Sequence, residues 1–189
     1  AVLAHELGHL LLGLPDFYQS VSAGLPIWGT RRWVIGCWEL MASGGSWGCG
    51  RGTPDHSRQA SQFSAWSRVE SKWVTPVDVR TDRDSVYELR PIGLGGTVLR
   101  LPVAEGEYLL AEYREPLGAD LTLPGAGVLI YRVREYLPVL PPIMPGVLPK
   151  EYKVMLLEAD ADSGLTRTDP EGGGGAHRAR IRVSPHGGG

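Results

Sequence analysis

In "AVLAHELGHLLL" the residues Leu3, Leu7, Leu10 and Leu11 recur at helical spacing, so the chain is expected to open on a helix. Gly13 and Pro15 supply its stop. Residues 18 to 52 are rich in Gly and Ser and read as loop. "TPDHSRQASQFSAWSRVESKW" offers Thr53 as an N-cap and Pro54 at the first helical position, which predicts a second helix of ~15 residues. The pattern then turns to β. "DSVYELRPI", "TVLRLPV", "EYLLAEYRE", "GVLIYRVREY" and "YKVMLLEAD" are short runs rich in β-formers, divided by Gly, Pro or Asp. Alternation is imperfect in "LIYRVREY", where Ile130, Arg132 and Arg134 contrast with Tyr131, Val133 and Glu135. A last strand, "HRARIRV", follows the flexible stretch "DPEGGGGA". No repeat of fixed period is present.

Composition adds a boundary to this picture. All six tryptophans lie between Trp28 and Trp73, and both phenylalanines, Phe17 and Phe63, fall in the same part. The shift near "KWVTPVDV" suggests two regions, residues 1–75 and residues 76–189. The 189 residues are enough to bury a real core. A formal net charge of −2 gives no reason to expect nucleic acid or an anionic membrane as partner. No apolar run approaches the ~20 residues that span a bilayer, and "LPVLPPIMPGVLP" is broken by its prolines. Only four residues precede the first histidine, so the chain reads as a piece of a longer protein, and the lack of a signal peptide carries little weight about compartment. Cys37 and Cys49 are either a disulfide or two free buried thiols. No CxxC occurs, which argues against a two-cysteine zinc site.

The chemistry is concentrated in "HELGHLLLGLPDFY". His5 and His9 stand four apart and share one helix face, so two imidazoles can meet one zinc ion. Glu6 beside the first can take a proton from metal-bound water, whose pKa zinc lowers toward ~7. Attack of that water on a peptide carbonyl is the metalloprotease reaction. The bland alternative is a surface helix with a His–Glu pair and no metal, because so short a motif occurs by chance. Asp16 is the natural third ligand, since the Gly13 turn can swing the chain back toward the metal. Its plainer role is a turn residue after Pro15. Further on, Met41 in "CWELMASG" is followed by small residues, as in the Met-turn beneath metzincin zinc sites. There it would form an apolar floor without ligating. A methionine in a loop is otherwise common core filler.

Together these stretches resemble the immune inhibitor A family of secreted bacterial metallopeptidases. The resemblance is carried by "HELGHLLLGLPDFY", "GCWELMASGGSW" and "SAWSRVESKWVTPVDV", with support from "YLLAEYREPLGADLTLPGAGVLIYRV" and "VMLLEADAD". It covers roughly residues 1 to 162. It implies a zinc endopeptidase in which His5, His9 and Asp16 are ligands and Glu6 is the general base. It also implies export from the cell, protein or peptide substrates, and room for structural calcium. The chain departs from the family motif by one residue, having Leu10, Leu11 and Leu12 before Gly13 where the family has two residues. An added helical residue turns the exit by ~100° and advances it by ~1.5 Å. Either a bulge absorbs it or Asp16 misses the metal, in which case Glu39 is the next candidate. Glu39 otherwise reads as a solvent-facing neighbour of the Met-turn. Asp55 and His56 read as capping or solvated residues.

Glu112, Arg114 and Asp120 read most plainly as a structural ion pair or turn. Glu158, Asp160 and Asp162 alternate and would share a strand face where calcium could bind, although the EF-hand pattern is not met. The expected fold class is α+β. A zinc-site helix, a Met-turn loop and a second helix from a zincin catalytic domain would precede an antiparallel, sandwich-like β-rich domain. The expected function is zinc-dependent proteolysis, with little activity from these residues alone because zincins place a substrate-binding edge strand before the zinc helix. The alternative is a non-catalytic β-rich module that binds protein or glycan and keeps a vestigial zinc site.

Overall fold

A computed structural model of the chain describes residues 2–20, 31–42, 60–121, 123, 125–139, 151–157 and 180–183. The first helix, α1 (Val2–Leu12), ends where the sequence places its stop. Gly13 takes the left-handed conformation at φ 64°, and its N–H bonds the His9 carbonyl at 3.1 Å, closing an αL cap. The leucine stripe, however, does not face the core. Leu3, Leu7, Leu10 and Leu11 are exposed, Leu10 by 78%, while the buried positions are His5 and Gly8. A Cβ at position 8 would stand 2.5 Å from the Met41 sulfur, so the Met41 side chain would have to shift to admit it.

The chain after α1 forms a small antiparallel pair, β1 (Tyr18–Ser20) and β2 (Arg31–Trp33), with Tyr18 opposite Trp33. This pair falls within the stretch that the sequence gives as loop, and at three residues per strand it is too short to leave a period. A 3-10 turn at Gly36–Trp38 leads into residues 39–42. The second helix, α2, is Ala65–Glu70, shorter than expected. Ser64 is its N-cap, with extended backbone, and its side chain accepts the Ser67 N–H at 3.5 Å. The start signal is therefore at Ser64; Thr53 and Pro54 lie outside the described residues, as do Asp55 and His56.

The remaining strands are β3 (Val77–Asp78), β4 (Ser85–Glu88), β5 (Leu99–Ala104), β6 (Glu107–Arg114), β7 (Gly127–Arg134), β8 (Val154–Leu156) and β9 (Arg180–Val183). Each β run read from the sequence contains or overlaps one of them. A five-stranded sheet has the order β3-β5-β6-β7-β8. It is mixed, not wholly antiparallel as expected, because β3 pairs β5 in parallel through Val77↔Leu99. Strand β3 has only two residues and follows Pro76, too little to register as periodicity. A second sheet pairs β4 with β9, Tyr87 opposite Ile181.

Alternation along the central strands divides the molecule into layers. On one face of the five-stranded sheet, Leu110, Leu129, Tyr131, Val133 and Val154 pack with Phe17, Trp38, Met41 and Trp66. On the other, Leu99, Ala111, Val128 and Ile130 pack with Tyr87, Ile181 and Val183 of the β4–β9 pair. The fold is thus α+β with a β-rich part. One buried cluster draws on residues from both sides of position 75. No helix among the described residues is long and apolar enough to cross a membrane.

Candidate metal centre

His5 and His9 project from α1, and the Gly13 turn returns the chain so that Asp16 meets them both. Asp16 Oδ1 lies 3.0 Å from His5 Nε2 and 3.3 Å from His9 Nε2, and the two Nε2 atoms are 3.2 Å apart. These three atoms form a nearly equilateral triangle. Tetrahedral zinc with Zn–N bonds of ~2.0–2.1 Å separates its ligand atoms by about 3.3 Å, close to each of these edges. Among the described residues, His5, His9 and Asp16 are the group of histidine, cysteine and carboxylate side chains placed to hold a metal ion. α1 continues through Leu12 without a π-bulge, and the Leu14 N–H reaches back to the Gly8 carbonyl at 3.2 Å.

Backbone carbonyls fix both rings. His5 Nδ1 faces the Leu40 oxygen at 2.9 Å, and His9 Nδ1 faces the Leu14 oxygen at 2.6 Å. A carbonyl can only accept, so Nδ1 carries a hydrogen in each ring, and Nε2 is the nitrogen that faces Asp16. Three acceptor atoms at this distance repel unless a proton or a metal cation lies among them. The hydrogen bond to Asp16 raises the His5 pKa despite burial, and the Leu40 carbonyl adds to the rise. Burial alone would push Asp16 up, but the His5 hydrogen bond, the nearby imidazoles and the Tyr18 hydroxyl hold its carboxyl below the ordinary value. Tyr18 also sets its ring 6.3 Å from that of His5. The sequence gives no role to Tyr18, since a tyrosine opening a short strand has no motif.

Met41 is wholly buried and lies against Gly8 on the inner side of α1. Residues 39–42 make a tight turn, closed by the Ala42 N–H to the Glu39 carbonyl at 3.0 Å. The Met41 carbonyl accepts the Phe17 N–H at 2.8 Å, one residue after Asp16. Glu6 is exposed on α1, free of the ligand cluster and adjacent to it.

Glu39 differs from both of its sequence readings. It is neither in the metal cluster nor in solvent. Its carboxylate is fully buried and accepts the Met41 N–H at 3.1 Å, the Ser64 N–H at 2.8 Å and the Ser67 hydroxyl at 2.8 Å. Burial pushes its carboxyl up, against the pull of the Ser64 hydroxyl and of these three donors. Glu112, Arg114 and Asp120 do form an ion-pair network, and all three are buried. Arg114 holds Asp120 through two nitrogens and donates to the Trp38 carbonyl at 2.9 Å. Asp120 in turn accepts the Gln62 N–H at 2.8 Å, and Glu112 accepts the Tyr131 hydroxyl at 2.7 Å. The sheet is thereby tied to Trp38 and Gln62, on either side of the turn at residues 39–42.

Cys37 is buried and disulfide-bonded; Cys49 lies outside the described residues. So do Glu158, Asp160 and Asp162, the proposed calcium ligands. No family model, curated protein or solved structure matches the chain.

Proposed function

We propose that the chain carries the metal centre of a zinc-dependent endopeptidase, with His5, His9 and Asp16 as ligands and Glu6 as general base. The observation behind this reading is the triangle of His5 Nε2, His9 Nε2 and Asp16 Oδ1, with edges of 3.0 to 3.3 Å and both Nδ1 atoms committed to carbonyls. Zinc at this donor set supplies Lewis-acid polarisation of a peptide carbonyl and lowers the pKa of a water molecule. His5 and His9 keep their Nε2 lone pairs aimed because Leu40 and Leu14 hold the opposite nitrogens. Asp16 contributes a negative charge that balances part of the cation. Glu6 accepts the proton of the attacking water and delivers it to the leaving amine.

In this proposal α1, the Met41 turn and α2 are the zinc helix, Met-turn and following helix of a zincin, ahead of a β-rich region. The resemblance to immune inhibitor A-like enzymes supports a protein or peptide substrate and an extracellular setting. Structural calcium remains part of that resemblance.

The test is zinc content and affinity of the full chain, alongside Asp16→Ala. One zinc per chain in the wild type, with at least tenfold weaker binding in Asp16→Ala, is the expected result. Absence of zinc from the wild type refutes the reading and leaves the β-rich binding module. Equal affinity in the variant refutes Asp16 as a ligand. In a form of the protein that cleaves peptides, Glu6→Gln abolishes cleavage while retaining zinc.

A further inference from the structure

We propose that Glu39 is a positioning residue of the metal centre, holding the Leu40 carbonyl that fixes the His5 imidazole. The inference rests on the zinc reading above. The turn at residues 39–42 is closed twice. Its main chain is closed by the Ala42 N–H on the Glu39 carbonyl, and its interior by the Glu39 side chain on the Met41 N–H at 3.1 Å. Leu40 and Met41 are its central residues, and their carbonyls serve the site directly. Leu40 O takes the His5 Nδ1 hydrogen at 2.9 Å, and Met41 O takes the Phe17 N–H at 2.8 Å beside Asp16.

The other carboxylate oxygen of Glu39 anchors this turn to a second element. It accepts the Ser64 N–H and the Ser67 hydroxyl, both at 2.8 Å, at the N-terminal end of α2. Neither carboxylate oxygen is free to turn toward a metal. Three donors converge on two oxygens in a site shut from water, which is the arrangement a carboxylate fits and a carboxamide does not. In Glu39→Gln the amide NH₂ must face at least one of these donors. The turn then relaxes, and the Leu40 carbonyl moves relative to the ring that it orients. Residues that orient a metal-binding histidine typically change metal affinity by about 10–100-fold when altered. Glu39 acts one bond further back, so the lower end of that range is expected.

The experiment loads the full chain with Co²⁺, whose visible bands report ligand geometry, and measures zinc affinity by competition. Wild type, Glu39→Gln and Ser67→Ala are compared, with metal-free thermal stability recorded for each. The expected result is shifted cobalt bands and about tenfold weaker zinc binding in Glu39→Gln, with a smaller shift of the same kind in Ser67→Ala. A role in folding alone would lower metal-free stability and leave the cobalt spectrum of the folded protein unchanged. That outcome, with zinc affinity within twofold of wild type, overturns the proposal. If Glu39→Gln does not fold, Ser67→Ala carries the same spectral test, and an unchanged spectrum there overturns it. Loss of metal from Glu39→Gln with retention by Asp16→Ala would make Glu39 a ligand and overturn it as well. Failure of the wild type to bind either metal overturns the zinc reading itself, and this proposal with it.

Discussion

Replacing Arg114 with leucine asks how firmly the sheet holds the segment that packs beneath α1. The side chain is fully buried. It binds Asp120 at 2.8 and 2.5 Å, Glu112 at 3.2 Å, the Trp38 carbonyl at 2.9 Å and the Gln62 carbonyl at 3.4 Å. Burial by itself would lower the Arg114 pKa, and the Glu112 and Asp120 carboxylates overcome it and keep the guanidinium charged. Leucine fills part of the volume but leaves both carboxylates in the interior without their hydrogen-bonded counter-charge, with only the longer-range attraction of Arg68. Removing one member of a buried ion pair costs about 3–5 kcal/mol, a large share of the ~5–15 kcal/mol that holds a domain together. In urea, with a slope of ~2 kcal/mol per molar, the midpoint falls by about 2 M at unchanged slope. Adding Glu112→Gln and Asp120→Asn removes both stranded charges and keeps acceptors for the Tyr131 hydroxyl and the Gln62 N–H. That triple variant recovers more than half of the loss. A single-variant loss under ~1 kcal/mol, the level of a surface ion pair, would refute the network as drawn. So would a triple variant no more stable than the single one.

Three further substitutions probe the site's surroundings. Gly8→Ala places a Cβ 2.5 Å from the Met41 sulfur; overpacking of ~1–3 kcal/mol outweighs the helix-propensity gain of just under ~1 kcal/mol, and chemical denaturation will show a net loss that Met41→Ala relieves in a double-mutant cycle. Gly13→Ala meets no atom within 4 Å, so its cost is that of a left-handed backbone at φ 64°. It is about 1–2 kcal/mol, partly recovered by Gly13→Asn, and a cost near zero would show that the cap is not formed. Tyr18→Phe removes the hydroxyl that binds Asp16; zinc titration is expected to give several-fold weaker affinity with little change in stability, and unchanged affinity would deny Tyr18 any part in the site.

The candidate ligands were legible because their signal is local. His5 and His9 are joined by helical periodicity, and Asp16 follows a glycine that can reverse the chain. The strands showed through β-formers bounded by turn residues, although β3, at two residues, was hidden in the stretch taken as a boundary. The leucine stripe of α1 gave the helix but not its orientation, since periodicity says that a face exists and not which face meets the core. Glu39 was misread because its role depends on Ser64 and Ser67, residues 25 and 28 positions away. The carbonyls that orient the two histidines leave no trace at all, as any residue at positions 14 and 40 carries the same oxygen.

The shared core has a consequence for how such a chain can change over generations. Phe17, Trp38 and Trp66 meet Leu110, Tyr131 and Val133 in one cluster, and Arg114 satisfies carbonyls on the opposite side of position 75. A recombination event that carried residues 76–189 into another gene would import a sheet with an uncovered apolar face and an arginine bereft of its carbonyl partners. The two stretches are therefore expected to travel together through gene rearrangement, and to accept insertions in the turns between strands sooner than a join at residue 75.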